Sequence, residues 1–226
     1  MSTVHNLTLR RSSTAQQVAD GLADAIMRGE LSPGSPIKES ALATSLGISR
    51  NTVREAVRIL EVGGMVRYTL HHGFAVVDPT KDDLLELYRA RLALESSAVR
   101  VPRTSEELVP VRAALDALMQ AYKTKDAAEI AARDLDFHAA LVGMLNSKRI
   151  DAFYAQLAKE LRYLLRVLFV EREIEMQPAV IEEHQKIMAA IESGDPSHAV
   201  DVLTEVLTVN AETVLAIFAA RNSERE

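Results

Sequence analysis

Residues 42–64 read LATSLGISRNTVREAVRILEVGG. Leucine, valine and alanine recur at helical spacing on both sides of Gly47, which can adopt a left-handed turn without steric strain. Ser49 follows at a position where a side-chain oxygen can cap a second helix, and Gly63 and Gly64 end that helix. The stretch therefore predicts two short helices joined by a tight turn.

A two-stranded ribbon is predicted directly after the two helices, in MVRYTLHHGFAVV. Residues 65–69 and 74–77 alternate well enough for two strands, and residues 71–73 form the tip. The outward face of the second helix begins with Arg50 and Asn51, side chains that can read guanine and adenine in the major groove. The alternative is a helical hairpin with a solvated basic face. The whole pattern favours a winged helix-turn-helix, so we expect double-stranded DNA as a partner.

The same region carries a family resemblance. Residues 45–66 resemble the recognition region of GntR-family bacterial transcription regulators, and residues 31–34 resemble the turn before that family's second helix. Members commonly carry an arginine directly after the glutamate that matches Glu39. This chain has Ser40 there, so Lys38 is the candidate to replace that contact. The resemblance implies the DNA-contacting residues Lys38, Ser49, Arg50, Asn51, Thr52, Arg54, His72 and Gly73.

The composition favours helices, and the charge is uneven. Apolar residues make up 48% of the 226 residues, while aromatic residues make up only 4%, so aliphatic side chains must form the core. Residues 1–78 carry eight basic and seven acidic side chains, whereas the rest of the chain carries 18 and 25. The first part therefore has a net charge of +1 and the second −7, which sum to −6. The first part must focus its basic groups on one face to bind phosphate.

Cysteine is absent, which excludes a disulfide framework or a thiolate metal site. The N-terminus lacks the apolar core of a signal sequence, and we expect no stretch of transmembrane length. These features predict a cytoplasmic protein without a membrane partner.

Two domains are predicted, residues 1–78 and residues 79–226. Residues 14–17 resemble a capping box that opens a first helix, and that helix completes the winged domain. Everything after Pro79 has helical periodicity, and Thr104 begins a second capping box. The predicted helices span residues 81–101, 104–123, 126–145, 147–171, 177–194 and 196–221. The predicted fold class is therefore mainly α, a winged helix-turn-helix followed by an antiparallel six-helix bundle.

The bundle resembles the FCD-type effector domain of a large GntR subfamily. This resemblance implies an effector-binding and dimerisation domain, a homodimer, and a small carboxylate or related metabolite as the effector. The matching residues are Arg91 and Glu95 in YRARLALE, Asp134, Phe137 and His138 in RDLDFHAAL, Asn146, His184 in EEHQKIMAAIESGD, and Ala199.

Three ionisable residues interrupt apolar helix stripes in the bundle. Asp134 and His138 lie one turn apart on one helix, and His184 lies on a second. A divalent ion such as Zn, Ni, Mn or Fe can satisfy all three, because burying them without partners is costly. The alternative is an Asp–His hydrogen bond plus a separate core histidine. Metal-binding FCD domains usually add a third histidine at the position of Val206, so we expect this site to be incomplete and weakly occupied.

Arg91, Asn146 and Asn210 are the candidate effector residues. Arg91 lies on an apolar stripe, where it can grip the carboxylate of a small organic acid or pair with Glu95 one turn away. Asn210 lies among apolar residues of the last helix, where it can bond effector, support the metal site or bond a neighbouring helix. Asn146 is included through the resemblance.

The sequence therefore predicts a ligand-responsive, dimeric repressor that binds a palindromic operator. One alternative is a constitutive DNA-binding regulator whose effector site has decayed at Val206. Another is a metal-dependent enzyme with a two-histidine, one-carboxylate site. We expect no enzyme activity, because no catalytic base stands beside the candidate ligands.

Overall fold

The computed structural model describes residues 13–170 and 179–223. The chain divides into two compact units at the junction of Asp78 and Pro79. The first unit contains α1 (Thr14–Met27), α2 (Glu39–Leu46), α3 (Arg50–Val62), β1 (Val66–Thr69) and β2 (Gly73–Val76). The second unit contains α4 (Lys81–Val99), α5 (Val109–Thr124), α6 (Ala127–Gly143), α7 (Lys148–Val170), α8 (Ala179–Glu192) and α9 (Pro196–Ser223). The mainly helical fold is as predicted.

Aliphatic side chains at helical spacing hold the first unit together. α1 packs on α3, and each contributes one apolar face. Full burial of a valine or leucine stabilises a fold by about 1.5–3 kcal/mol, so these faces fix the outward direction of the polar ones. The buried residues are Ala15, Ala19, Leu22 and Ile26 of α1 and Val53, Ala56, Val57 and Leu60 of α3.

The helix ends follow local chemistry. Gly47 ends α2 in the left-handed conformation with φ of 65°, and Ser49 caps α3 by accepting a hydrogen bond from the Thr52 amide at 3.1 Å. Both features confirm the predicted helix-turn-helix. The predicted capping box at Thr14 is wrong, because Ser13 caps α1 and Thr14 already lies inside the helix.

The wing is an antiparallel pair in which Val66 faces Val76 and Thr69 faces Gly73. The His72 amide donates to the Thr69 carbonyl at 3.0 Å and closes the turn. Gly73, with φ of +79°, is thus the first residue of β2 and not part of the tip as predicted. The tip consists of residues 70–72.

Two apolar clusters form the core of the second unit. One lies among α4, α5, α6, α8 and α9, with Phe137 and Leu203 fully buried. The other joins α4, α6, α7 and α9 around Leu84 and Leu161. The bundle has the predicted six helices within the described residues. The predicted last residue of the fourth bundle helix, 171, and the predicted first residue of the fifth, 177, lie outside the described residues.

α5 begins five residues later than predicted. The capping-box bonds do form, since the Thr104 and Glu107 amides bond each other's side chains at 2.8 and 3.3 Å. They enclose a separate turn, and the helix starts at Val109. The physical reason is Pro110, which lacks an N–H and is tolerated only in the first turn of a helix.

α9 is long and apolar enough to cross a membrane by length and composition. The expectation that no stretch approaches this length was wrong. Leu203 and Leu207 nevertheless lie in one core cluster and Phe218 in the other. The core helix of a soluble protein meets the same criteria, so the composition of α9 is weak evidence for a membrane.

Candidate nucleic-acid interface and metal centre

The polar face of α3 lies outward, as the apolar spacing requires. Arg50, Asn51 and Arg54 are exposed while the opposite side of the helix is buried. Guanidinium and amide groups in the first turns of such a helix are placed to meet base edges.

Arg54 is held by an ion pair. Its Nε donates to Glu39 Oε1 at 2.8 Å and its Nη2 donates to Glu39 Oε2 at 3.2 Å. This bidentate pair ties α3 to the start of α2. The hydrogen bonds from Arg54 lower the pKa of Glu39, so the carboxylate is ionised at neutral pH.

Of the other predicted DNA contacts, two take part in a helix cap and three lie at the surface of the DNA-binding unit. The Ser49 hydroxyl accepts from the Thr52 amide and lies 2.8 Å from the Thr52 hydroxyl, so these two side chains already serve the helix cap. Lys38 at the start of α2 and His72 at the wing tip are exposed, and Gly73 is half-buried. All remain predictions as DNA contacts.

Asp134 and His138 of α6 and His184 of α8 come together as predicted. One potential ligand atom from each lies within 4.8 Å of the other two. Both histidines are fully buried, and Asp134 is partly buried. The bundle therefore assembles a two-histidine, one-carboxylate set from two helices.

Glu95 orients the first histidine. His138 Nδ1 lies 2.6 Å from Glu95 Oε2. Burial alone would raise the pKa of Glu95, but His138 and Arg91 lower it to about 2. An ionised carboxylate can only accept, so Nδ1 carries the proton and donates it. His138 Nε2 is buried without a hydrogen-bond partner among the described residues. Burial also lowers the pKa of His138, which favours the neutral ring that ligates metals.

The second histidine has the same arrangement. His184 Nδ1 lies 2.6 Å from the Val180 carbonyl, which can only accept, so Nδ1 again carries a proton. His184 Nε2 lies 3.1 Å from Asp134 Oδ1, outside hydrogen-bond geometry. Burial would lower the pKa of His184, but Asp134 raises it. A positive charge between His184 Nε2 and Asp134, either a proton on Nε2 or a bound cation, therefore stabilises this contact. The three ligand atoms fit a divalent metal.

Arg91 pairs with Glu95, which was the alternative left open by the sequence. Its Nε donates to Glu95 Oε1 at 2.9 Å, and its guanidinium carbon lies 5.3 Å from the centre of the Tyr88 ring. Arg91 Nη2 is nevertheless buried with no hydrogen-bond partner among the described residues. The internal pair thus leaves the two N–H groups of Nη2 for a ligand.

Sequence reasoning missed Tyr154, whose hydroxyl donates to Glu95 Oε1 at 2.6 Å. Glu95, fully buried, therefore accepts from Arg91, His138 and Tyr154. A tyrosine on the apolar face of a helix carries no sequence signal that distinguishes it from a core residue.

The two asparagines lie in different places. Asn210 is half-buried and bonds Glu183 on the neighbouring helix α8. Asn146, with φ of +52°, lines a cavity of about 320 Å³ with Arg103 and Pro110. Arg91 is not among the residues that line this cavity.

Val206 occupies the position where a further ligand was sought. It is buried in the apolar cluster with Leu203 and Leu207, and its side chain has no atom that can ligate a metal. Three side chains remain as the candidate ligand set of this region within the described residues.

Residues 14–76 match the family described as "Bacterial regulatory proteins, gntR family", and residues 86–209 match the FCD domain. The chain belongs to the GntR family. The "Probable D-xylose utilization operon transcriptional repressor" of Paenarthrobacter nicotinovorans is 30% identical over 87% of this chain and 86% of its own length. The gluconate operon transcriptional repressor of Bacillus licheniformis is 27% identical over 83% and 79%.

Solved structures show the same fold across both units. A GntR transcriptional regulator from Rhodococcus sp. RHA1 matches with a TM-score of 0.76 and 30% identity, over 90% of this chain and 98% of that one. McbR/YncC of E. coli matches with a TM-score of 0.68 and 25% identity, over 92% and 100%. This GntR-family member is therefore a DNA-binding transcription regulator, as its sequence predicted, and the relatives named above are transcription regulators.

Proposed function

We propose that this regulator represses a metabolic operon as a homodimer and leaves its operator when a small organic acid binds among α4, α6, α7 and α8. The observation that carries the proposal is Arg91 Nη2, a buried guanidinium donor without a hydrogen-bond partner among the described residues. An unsatisfied donor of this kind is costly in the apoprotein and is satisfied by an incoming carboxylate.

The candidate ligands support a metal beside this donor. Asp134, His138 and His184 would hold Zn, Ni, Mn or Fe, and the ligand types do not choose among these ions. When bound, the ion would supply an open coordination position for an oxygen of the effector. Glu95 and the Val180 carbonyl hold the Nδ1 protons, so each ring in its neutral form presents the Nε2 lone pair to the ion. With Val206 at the fourth position, we expect weak metal binding.

The effector class follows from the charges. Arg91 carries a fixed positive charge that Glu95 compensates, and its free Nη2 edge can donate to one carboxylate oxygen. A second oxygen of the same molecule would reach the metal. A small hydroxy acid or dicarboxylic acid fits both demands.

The DNA interface supports a two-fold operator. Two copies of α3 on adjacent half-sites would present Arg50, Asn51 and Arg54 to base edges, with Lys38, Ser49, Thr52, His72 and Gly73 near the backbone. Two-fold symmetry of the protein then requires a palindromic site. Binding of effector must favour a dimer arrangement that fits this site less well.

The experiment that tests the proposal begins with selection of operator DNA from random duplexes. Wild-type protein, Arg91→Met and Arg89→Met are then titrated with a panel of hydroxy acids and dicarboxylic acids in the presence of Mn²⁺ or Zn²⁺. Arg89 lies on the same helix and is exposed, so it serves as the matched control. We expect one acid to release wild type and the control from DNA but not Arg91→Met. Equal release of all three would remove Arg91 from the site. No release by any acid would favour a constitutive regulator.

A further inference from the structure

Glu39 lies within the basic surface of the DNA-binding unit. Its side chain is only 18% exposed, whereas that of its partner Arg54 is 48% exposed. The carboxylate is therefore sheltered at the start of α2 and holds a guanidinium that faces outward. A mostly buried carboxylate that pairs with a long side chain limits the rotamers which that side chain can adopt.

The contact uses one edge of the guanidinium. Glu39 accepts from Arg54 Nε and Nη2, so the donors left over are those of Nη1 and one of Nη2. One N–H of Nη1 and one of Nη2 therefore point along the axis of the side chain, away from Glu39. An arginine that approaches guanine with its two terminal nitrogens needs this end-on orientation.

The Glu39 carboxylate also bears on sequence-independent binding to the DNA backbone. Arg50 and Arg58 also act electrostatically on Glu39, so one negative charge lies among three positive charges of α3. Phosphate affinity grows with each cation that is free to pair with the backbone. A carboxylate that engages Arg54 and acts on Arg50 and Arg58 reduces the positive charge that is free for phosphate.

We propose that Glu39 is a specificity residue of this regulator, which positions Arg54 for end-on base reading and weakens sequence-independent phosphate binding. The proposal rests on the DNA-binding role of α3. It predicts that discrimination between operator and random DNA falls when Glu39 is neutralised.

The test compares Glu39→Gln with Glu30→Gln in the full-length protein. Glu30 forms a similar pair with Arg28, at 2.6 and 3.4 Å, beyond the end of α1. The two variants therefore lose the same charge and the same kind of ion pair. Fluorescence anisotropy on a random-sequence duplex over a salt series measures non-specific binding. Operator selection measures base preference.

We expect Glu39→Gln to bind the random duplex several-fold more tightly than wild type, with a salt slope steeper by about one, because Arg54 gains a phosphate. We also expect a weaker preference at one base pair of each half-site. Glu30→Gln should keep the wild-type preference. In an Arg54→Gln background, Glu39→Gln should no longer change the base preference.

Unchanged slope and preference in a folded Glu39→Gln protein would overturn the proposal and leave Glu39 as a structural link between α2 and α3. A change that persists in the Arg54→Gln background would also overturn it, because Glu39 would then act without Arg54. If wild type itself selected no operator, the failure would lie with the proposed function.

Discussion

Glu95 Oε2 lies 2.6 Å from His138 Nδ1, while the other oxygen of the same carboxylate accepts from Arg91. A single buried charge therefore connects the candidate metal ligand to the candidate effector arginine. The electrostatic balance of the helical unit depends on this carboxylate, because Arg91 and Glu95 are both almost fully buried.

Neutralising the carboxylate should destabilise the helical unit strongly. We expect Glu95→Gln to lower the free energy of unfolding by about 3–5 kcal/mol, because it leaves the charge of Arg91 buried without compensation. Urea unfolding followed by circular dichroism measures the loss. The matched control is Glu129→Gln, which removes an exposed i,i+4 pair with Arg133. The control should change the same free energy by less than about 1 kcal/mol, and equal effects of both changes would contradict the argument.

The same carboxylate predicts a pH dependence. The pKa of Glu95 is about 2 in the fold, below its ordinary value of 4.5. A lowered pKa means that its contribution to stability is complete above pH 4.5 and is lost as the pH falls toward 2. The urea midpoint of wild type should therefore fall more steeply than that of Glu95→Gln over this interval. Parallel curves for the two proteins would show that Glu95 titrates normally.

Two glycines in the DNA-binding unit should respond oppositely to alanine. Gly73→Ala places a Cβ on a backbone with φ of +79°, so we expect about 1 kcal/mol of destabilisation and weaker DNA binding through the wing. Gly21 lies inside α1, and open space surrounds the position that an added methyl group would take. Gly21→Ala should stabilise by up to about 1 kcal/mol through helix propensity. Thermal unfolding of both variants measures the two changes in stability. Destabilisation by both substitutions would show that the backbone conformation at each glycine does not determine the response to alanine.

The parts of the fold set by neighbouring residues were predictable. Gly47 and Ser49 end and begin helices through contacts within a few residues, so the helix-turn-helix could be located from sequence. Asp134 and His138 share a stripe by spacing alone. The capping residue of α1 was misplaced because Ser13 and Thr14 are both good caps and adjacent.

The parts set by distant contacts were not predictable. Tyr154 reaches Glu95 from a helix 59 residues away, and no local pattern encodes that contact. Glu39 and Arg54 are 15 residues apart on two helices, so their pairing depends on how those helices pack. Asn146 matches the family pattern but lines a cavity that Arg91 does not line, because resemblance gives order along the chain and not distance.

Metal content tests the central claim most directly. Gently purified protein is dialysed to equilibrium against Zn²⁺, Ni²⁺, Mn²⁺ or Fe²⁺ at a concentration above that of the protein. The ion bound in excess of the dialysate is measured by elemental analysis, together with Asp134→Ala, His184→Ala and the exposed-histidine control His198→Ala. We predict about one equivalent of one of these ions in wild type and the control, with loss in the two ligand variants and release of protons on binding. Absence of metal from wild type under all four conditions would contradict the account and leave Asp134 and His184 as a buried ion pair.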